Sequence, residues 1–384
     1  MPTKISPRRE TMQIYDRYLL FSMVSLFSFG LLMVASTSIM ISERHYGQPF
    51  HFFFHQLFYL ILGIVTAALF FQIKIEYWKK ASLSLLVLSI VLLILVLIPG
   101  LGRHVNGSIR WLGFGPIGLQ VSEFVKLAMI IYLAGYLVRQ EEEVRTQIRG
   151  FLKPLALLGI ISFLLLLEPD FGATAVILVT SLGMLFLAGV RIWQFALLFC
   201  GVSGALAVLA ISSPYRLARL TTFMNPWANQ FDSGYQLTQS LIAFGRGGWF
   251  GVGLGESIQK LFYLPESHTD FLFAILAEEL GLVGGLLMIF LFSVLVWRAL
   301  WIGYQCFKIQ RFFSAYLAYG IGINIALQVM INLGVNMGVL PTKGLTLPLM
   351  SYGGSSLLVT CMMLSILLRI DYERRLEKRG IRNP

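Results

Sequence analysis

Residues 81–99 read ASLSLLVLSIVLLILVLIP, nineteen positions without one charge. Wound as a helix at about 1.5 Å per residue, the run is ~29 Å long, the depth of a bilayer's hydrocarbon core. Core helices of soluble proteins have no need of such length. Comparable runs recur on either side, and ten spans are placed at 19–41, 52–71, 80–99, 121–138, 154–168, 172–189, 193–212, 271–297, 313–338 and 352–370. Lipid offers backbone groups no hydrogen-bond partner, so each span is expected to be a helix. The period-two alternation of a membrane β-barrel is absent. The expected fold is therefore an all-α polytopic membrane protein with about ten transmembrane helices.

Composition agrees. Of 384 residues, 57% are apolar and 13% charged, against about 25% charged in soluble domains. A water-soluble dehydrogenase, a DNA-binding module and a disordered chain are excluded. The net charge of +11 does not imply a nucleic-acid partner, because Lys and Arg sit in short segments between spans and there set topology. With the N-terminus inside, inner segments carry 21 of them and outer segments 8. Both termini are expected in the cytoplasm. The first span has 23 residues, too long for a signal-peptide core of about 7–15, and is read as retained. The organisation is a cytoplasmic segment 1–18, one membrane domain 19–370 and a cytoplasmic tail 371–384. Cys200, Cys306 and Cys361 suggest no disulfide framework.

Inner connections are short and basic, whereas two outer loops, 100–120 and 213–270, are long. Long loops tend to be functional, so chemistry is expected outside. Three constellations stand there. The first is Pro265-Glu266-Ser267-His268-Thr269-Asp270, directly before span eight. Asp270 could simply cap that helix; yet Glu266, His268 and Asp270 crowd a membrane interface. Asp270, Ala274 and Glu278 follow at i, i+4 and i+8, which would continue one polar face into the bilayer, where a carboxylate defaults to function. The second is Arg110-Trp111 with Glu123 and Lys126, the latter two at i, i+3 on span four. They form either a structural ion pair or the polar floor of an outward-facing cavity. The third runs from Pro341 through Lys343 and Pro348 to Gly353, Gly354, Ser355 and Ser356. Its prolines and glycines break the helix, and it is either an anion site at a helix start or a capped helix entry. The glycine-rich 245–255 stretch lacks the Gly-Lys-Ser/Thr of a P-loop, so no nucleotide is expected. His51 and His55 have metal-like spacing but flank Phe52-Phe53-Phe54, the signature of an aromatic belt.

Taken together, Arg110-Trp111, the Gln120-to-Lys126 run, Glu168-Pro169-Asp170-Phe171-Gly172, Gly234-Tyr235-Gln236, Leu264-to-Phe271 and Pro348-to-Ser356 resemble the SEDS (shape, elongation, division and sporulation) family of peptidoglycan glycosyltransferases. The likeness spans nearly the whole chain. Val121 departs from the family's usual Pro. Residues 342–348, 132–139 and 214–220 look more like the cell-division branch than the elongation branch. The resemblance implies polymerisation of lipid II, a disaccharide-pentapeptide on undecaprenyl pyrophosphate, at the outer face of the cytoplasmic (inner) membrane, at the division septum. It is an inverting transfer. Asp270 matches the family's essential aspartate and is the expected general base. Arg110, Trp111, Glu123, Lys126, Arg216, Arg246, Glu266, His268, Lys343 and Ser355 are the expected substrate-binding set. A divalent cation, Mg or Mn, is the cofactor that a departing pyrophosphate would use. The implied partners are a class B penicillin-binding transpeptidase and other membrane proteins of the division machinery. A lipid II transporter and a non-catalytic scaffold for the transpeptidase are the alternatives, and Asp270 discriminates, since only polymerisation needs a base.

Overall fold

The computed structural model describes residues 15–105, 108–114, 117–211, 223–232, 234–341 and 344–380. Twelve α-helices and one small sheet are described among these residues. The helices are α1 (Arg17–Tyr46), α2 (His51–Gln72), α3 (Ile75–Leu97), α4 (Val121–Arg139), α5 (Glu141–Thr146), α6 (Ile148–Leu167), α7 (Phe171–Leu187), α8 (Ile192–Ile211), α9 (Tyr235–Gly247), α10 (Leu272–Lys308), α11 (Phe312–Asn336) and α12 (Gly354–Lys378). Each of the ten expected spans falls on one of them. Eight are long and apolar enough to cross a membrane, and α7, at 17 residues, is a shorter apolar helix. Two helices outrun their expected spans. Helix α10 continues to Lys308, beyond 297, and α12 to Lys378, so residues 371–378 of the expected tail are helical.

Burial sorts the helices. The most apolar window of α4 is 83% buried and that of α12 78%, whereas that of α2 is only 11% buried. Helices α4, α11 and α12 therefore form the centre, and α2, α3 and α6 the wall. The wall exposes Phe58, Ile61, Ile64, Leu69, Leu83 and Val87. Water would penalise such a surface; a lipid solvent does not, so a multi-pass membrane protein is the consistent reading. At one end of the bundle, Asp16 caps α1 by accepting from Leu19 N (3.0 Å) and also accepts from Arg298 Nε at 2.9 Å. Tyr15 stacks on Tyr372 there, so the start of α1 and the end of α12 lie together.

The opposite end is irregular. Loop 100–120 holds three antiparallel strands: β1 (Gly102–Val105), β2 (Ser108–Phe114) and β3 (Ile117–Gln120), in the order β1-β2-β3. Trp111 is paired with Gln120. In the larger loop, α9 lies against α10 and is joined to it at a break. Gly281 has φ +67° and ψ −165° inside α10, a conformation only glycine adopts readily. The kink leaves helical groups unpaired, and the loop supplies their partners. Val252 N donates to Glu278 O (3.0 Å), Gly253 N to Glu279 O (3.1 Å), Leu282 N to Gly248 O (3.0 Å) and Val283 N to Trp249 O (3.1 Å). Carboxylates lock the same joint. Fully buried Glu279 pairs with Lys260 (2.7 Å) and accepts from Ser36 of α1; Glu278 accepts from Ser257 and pairs with Arg246 (3.1 Å).

Candidate functional site

Asp270 is half-buried and stands two residues before α10 begins. It therefore does not share a helical face with Glu278, contrary to the i, i+8 expectation; Glu278 turns instead to Arg246 and Ser257. The segment ahead of Asp270 is tightly turned. Glu266 is left-handed (φ +56°) and its carbonyl accepts from Thr269 N and Phe271 N, while its carboxylate accepts from Thr269 Oγ1 at 2.6 Å. Two amides of α11 reach the Asp270 carbonyl: Asn332 Nδ2 and Asn336 Nδ2 each donate at 2.9 Å. On the side-chain side, Gly344 is so near that a Cβ there would stand 2.9 Å from Asp270 Oδ2. His268 lies beside Asp270 in sequence and packs between the rings of Phe52 and Tyr352. Its carbonyl accepts from Tyr352 N, which ties this loop to the entry of α12. Burial lowers the His268 pKa, with Glu266 acting against it.

The segment 344–356 joins the remaining expected groups to Asp270. Leu345 packs on Gly172 at the start of α7. Ser355 Oγ donates to Gly118 O (2.9 Å) and accepts from Gln120 N (3.0 Å), docking α12 on β3. Arg110 on β2 donates to the carbonyls of Glu168 (3.4 Å) and Pro169 (2.5 Å), and its Nη1 is 3.9 Å from Asp170 Oδ1. Asp170 in turn caps α7 through Ala173 N (3.1 Å). Trp111 covers Gly118 of β3. Glu168, in the connection between α6 and α7, is fully buried with neither carboxyl oxygen hydrogen-bonded. Burial first, then Asp170, pushes its pKa up to about 8, against the pull of Arg110.

Other expected residues lie elsewhere. Glu123 and Lys126 form a buried ion pair (2.8 Å) in the bundle centre; Lys126 is 1% exposed and also donates to Gln328 (3.2 Å). The i, i+3 pairing expected from the sequence is formed, and Gln328 of α11 joins it. Arg246 is committed to Glu278 at the α9–α10 joint. Arg216 and Lys343 lie outside the described residues. Beside the Asp270 loop an open pocket of about 390 Å³ is lined by Ile41, His45, Tyr46, Phe52, Phe262, Glu266 and His268. His51 stacks on Tyr46, as an aromatic belt would. Among the described residues, no group of three or more His, Cys, Asp or Glu could hold a metal.

The sequence reading passed over the amides of α11. Asn324, Gln328, Asn332 and Asn336 recur every fourth residue and are all buried. Four amides inside one span at helical spacing were the available signal, because polar groups in a membrane are costly unless they have partners. The Lys260–Glu279 pair was also missed, since the sequence offers no cue to a contact across the loop.

A bundle of long apolar helices is the architecture shared with solved relatives. The family model of the FtsW/RodA/SpoVE cell cycle proteins matches residues 17–376, and the chain belongs to that family. A protein of Legionella pneumophila named probable peptidoglycan glycosyltransferase FtsW is 57% identical over 98% of this chain and 95% of its own. One of the same name from Coxiella burnetii is 58% identical over 94% of this chain and 96% of its own. Among solved structures, a peptidoglycan synthase complex described as coordinating polymerization and crosslinking has a chain superposing with TM-score 0.77 at 28% identity, covering 94% of this chain and 98% of that one. The rod shape determining protein RodA of Thermus thermophilus superposes with TM-score 0.71 at 27% identity, with the same coverage.

Proposed function

We infer that this chain polymerises lipid II on the outer face of the cytoplasmic membrane, with Asp270 as general base and both termini in the cytoplasm. Peptidoglycan glycosyltransfer is the activity its relatives are named for, and they are of the cell-division type, which favours a septal role. One observation carries the assignment of the base: Asp270 is fixed through its backbone at the irregular end of the bundle, between the ends of several helices. In the reaction the acceptor sugar's 4-hydroxyl oxygen attacks the donor's anomeric carbon. Asp270 takes the hydroxyl proton, the bond to the lipid pyrophosphate breaks with its electron pair, and the configuration inverts. The base must come within about 3 Å of the hydroxyl, directly or through one water. Among the described residues, Arg110, which donates to the carbonyls of residues 168 and 169 and stands 3.9 Å from Asp170, is our candidate for meeting the pyrophosphate. The described residues do not build a resident site for Mg or Mn; a cation of that kind can be carried by substrate phosphates with one or two carboxylates. The superposed synthase complex supports a transpeptidase partner. We place that partner's single helix against α10 and α11, with other division proteins around the pair.

The deciding experiment is Asp270→Asn. Asn preserves size and cap chemistry but cannot accept the proton. Purified variant given labelled lipid II in detergent should lose polymerisation by at least about 10²-fold while still binding substrate. Polymerisation at the wild-type rate would remove the base and leave a transporter or scaffold.

A further inference from the structure

We propose that Asn332 and Asn336 are positioning residues that set the direction of the Asp270 carboxylate by clamping its backbone, an inference that rests on Asp270 being the base. Ordinarily a catalytic carboxylate is oriented by hydrogen bonds to its own oxygens, which lowers its basicity. At Asp270 the backbone carbonyl is anchored as well. Asn332 Nδ2 donates to Asp270 O (2.9 Å) and also to Leu345 O (2.7 Å), binding the base to the 344–356 segment in one contact. Asn336 Nδ2 donates to the same Asp270 O (2.9 Å) and to Asn332 O (2.8 Å). Its Oδ1 accepts from Ala274 N (3.1 Å), so the first turn of α10 is fixed to α11 by the same side chain. Ser240 of α9 donates to Asn336 O (2.7 Å), bringing α9 to the same point.

Both lone-pair directions of the Asp270 carbonyl are thus occupied from one helix. Asn332 and Asn336 are 2% and 0% exposed, so water does not compete. The two lie one turn apart on a central helix, and they fix the carbonyl more firmly than a loop contact would. With the peptide plane after Asp270 held and Gly344 closing the other side, the carboxylate has little freedom to turn. Tying Asp270 to residue 345 has a second consequence. Leu345 packs on Gly172, next to the Asp170 that faces Arg110. The clamp therefore sets the base relative to the guanidinium expected at the pyrophosphate, the two ends of the displacement.

The test uses full-length protein with lipid II in detergent and four variants. Asn336→Asp keeps the oxygen that caps Ala274 N but removes the donor to Asp270, so the fold is spared while the clamp is cut. Asn332→Ala removes both carbonyl contacts, and Asn332→Gln restores an amide donor. Asn332→Ala is repeated in an Asp270→Asn background. We expect Asn336→Asp and Asn332→Ala to lower kcat by about 10²-fold, the cost of an ångström-scale misplacement. KM should stay within about twofold, and the acid limb of the kcat–pH profile should move. Asn332→Gln should recover part of kcat, and Asn332→Ala should cost nothing further once Asp270 is Asn. Wild-type kcat in folded Asn332→Ala and Asn336→Asp would overturn the clamp while leaving the base intact if Asp270→Asn is inactive. So would a loss confined to yield and melting temperature with an unmoved pH profile. Full activity of Asp270→Asn would overturn the base instead, and the clamp with it.

Discussion

Glu168 should make this protein less stable as pH rises, and Glu168→Gln should remove the effect. The carboxyl is fully buried and neither oxygen has a hydrogen-bond donor; its pKa rises from 4.5 to about 8. Between those values the folded protein holds a proton that the unfolded chain has released. Its contribution to stability is therefore complete below about 4.5 and is lost progressively as pH climbs to about 8. At 1.36 kcal/mol per pKa unit the full loss is ~5 kcal/mol, and water drawn to an ionised carboxylate reduces it to ~2–5. An unfolding entropy of ~0.8 kcal/mol/K for a chain of this size turns that into ~2–6 °C. Glutamine has the shape of the protonated acid and cannot ionise. Thermal unfolding followed by thiol-reactive fluorescence in detergent, from pH 5 to 9, should show wild type and Glu168→Gln close at pH 5. The variant should melt ~2–6 °C higher at pH 9. Parallel curves across that range would refute the reasoning, because they would mean Glu168 already finds a partner when charged.

Lys126→Met leaves Glu123 charged and buried with no cation, which costs about 3–5 kcal/mol; expression yield and melting temperature should fall, and a double Glu123→Gln/Lys126→Met variant should recover much of both. Gly247→Ala places a Cβ against the Ala277 carbonyl, with no flexible side chain to yield. It should separate α9 from α10 at a cost of about 1–3 kcal/mol, detected as protease cleavage between residues 230 and 260. Cysteine at position 249, in a background without Cys200, Cys306 and Cys361, should label from outside intact cells, whereas labelling only after permeabilisation would reverse the assigned orientation.

Much of the bundle was legible because bilayer thickness imposes a length on every apolar run, and among the described residues eight helices meet it. What escaped had no such ruler. The ends of α10 and α12 are charged, and charge was read as loop; in the structure Arg374 and Arg375 are paired with Asp371, which lets a helix carry them past the apolar boundary. The β1-β2-β3 sheet is built from 4-, 7- and 4-residue strands, too short for alternation to stand out. Asp270 was found by its position next to a span. Its supports, Asn332 and Asn336, lie 62 and 66 residues away, and only the fold brings them to it. Glu123 and Lys126, at i, i+3, were legible as a pair, and they stand 2.8 Å apart.

The irregular end of the bundle gathers helix starts. Helices α4, α7, α10 and α12 all begin there, and specific contacts hold the four starts together. Ser355 of α12 bonds to Gln120 at the head of α4; Leu345 rests on Gly172 of α7; Tyr352 N bonds to His268 O ahead of α10. A helix start carries about half a positive charge and up to four unpaired N–H groups. The N–H groups of these four starts need partners, and the ends of α1, α3, α6 and α11 come to the same side. That need bears on the placement of the acids. Asp170 satisfies one start by capping α7, while Asp270 lies one residue outside the position from which it would cap α10. Phe271 occupies that position and makes no side-chain cap. Ala274 N, the donor such a cap would have satisfied, goes to Asn336 instead. The cap is supplied by an amide on another helix, so the Asp270 carboxylate is not the group that caps α10.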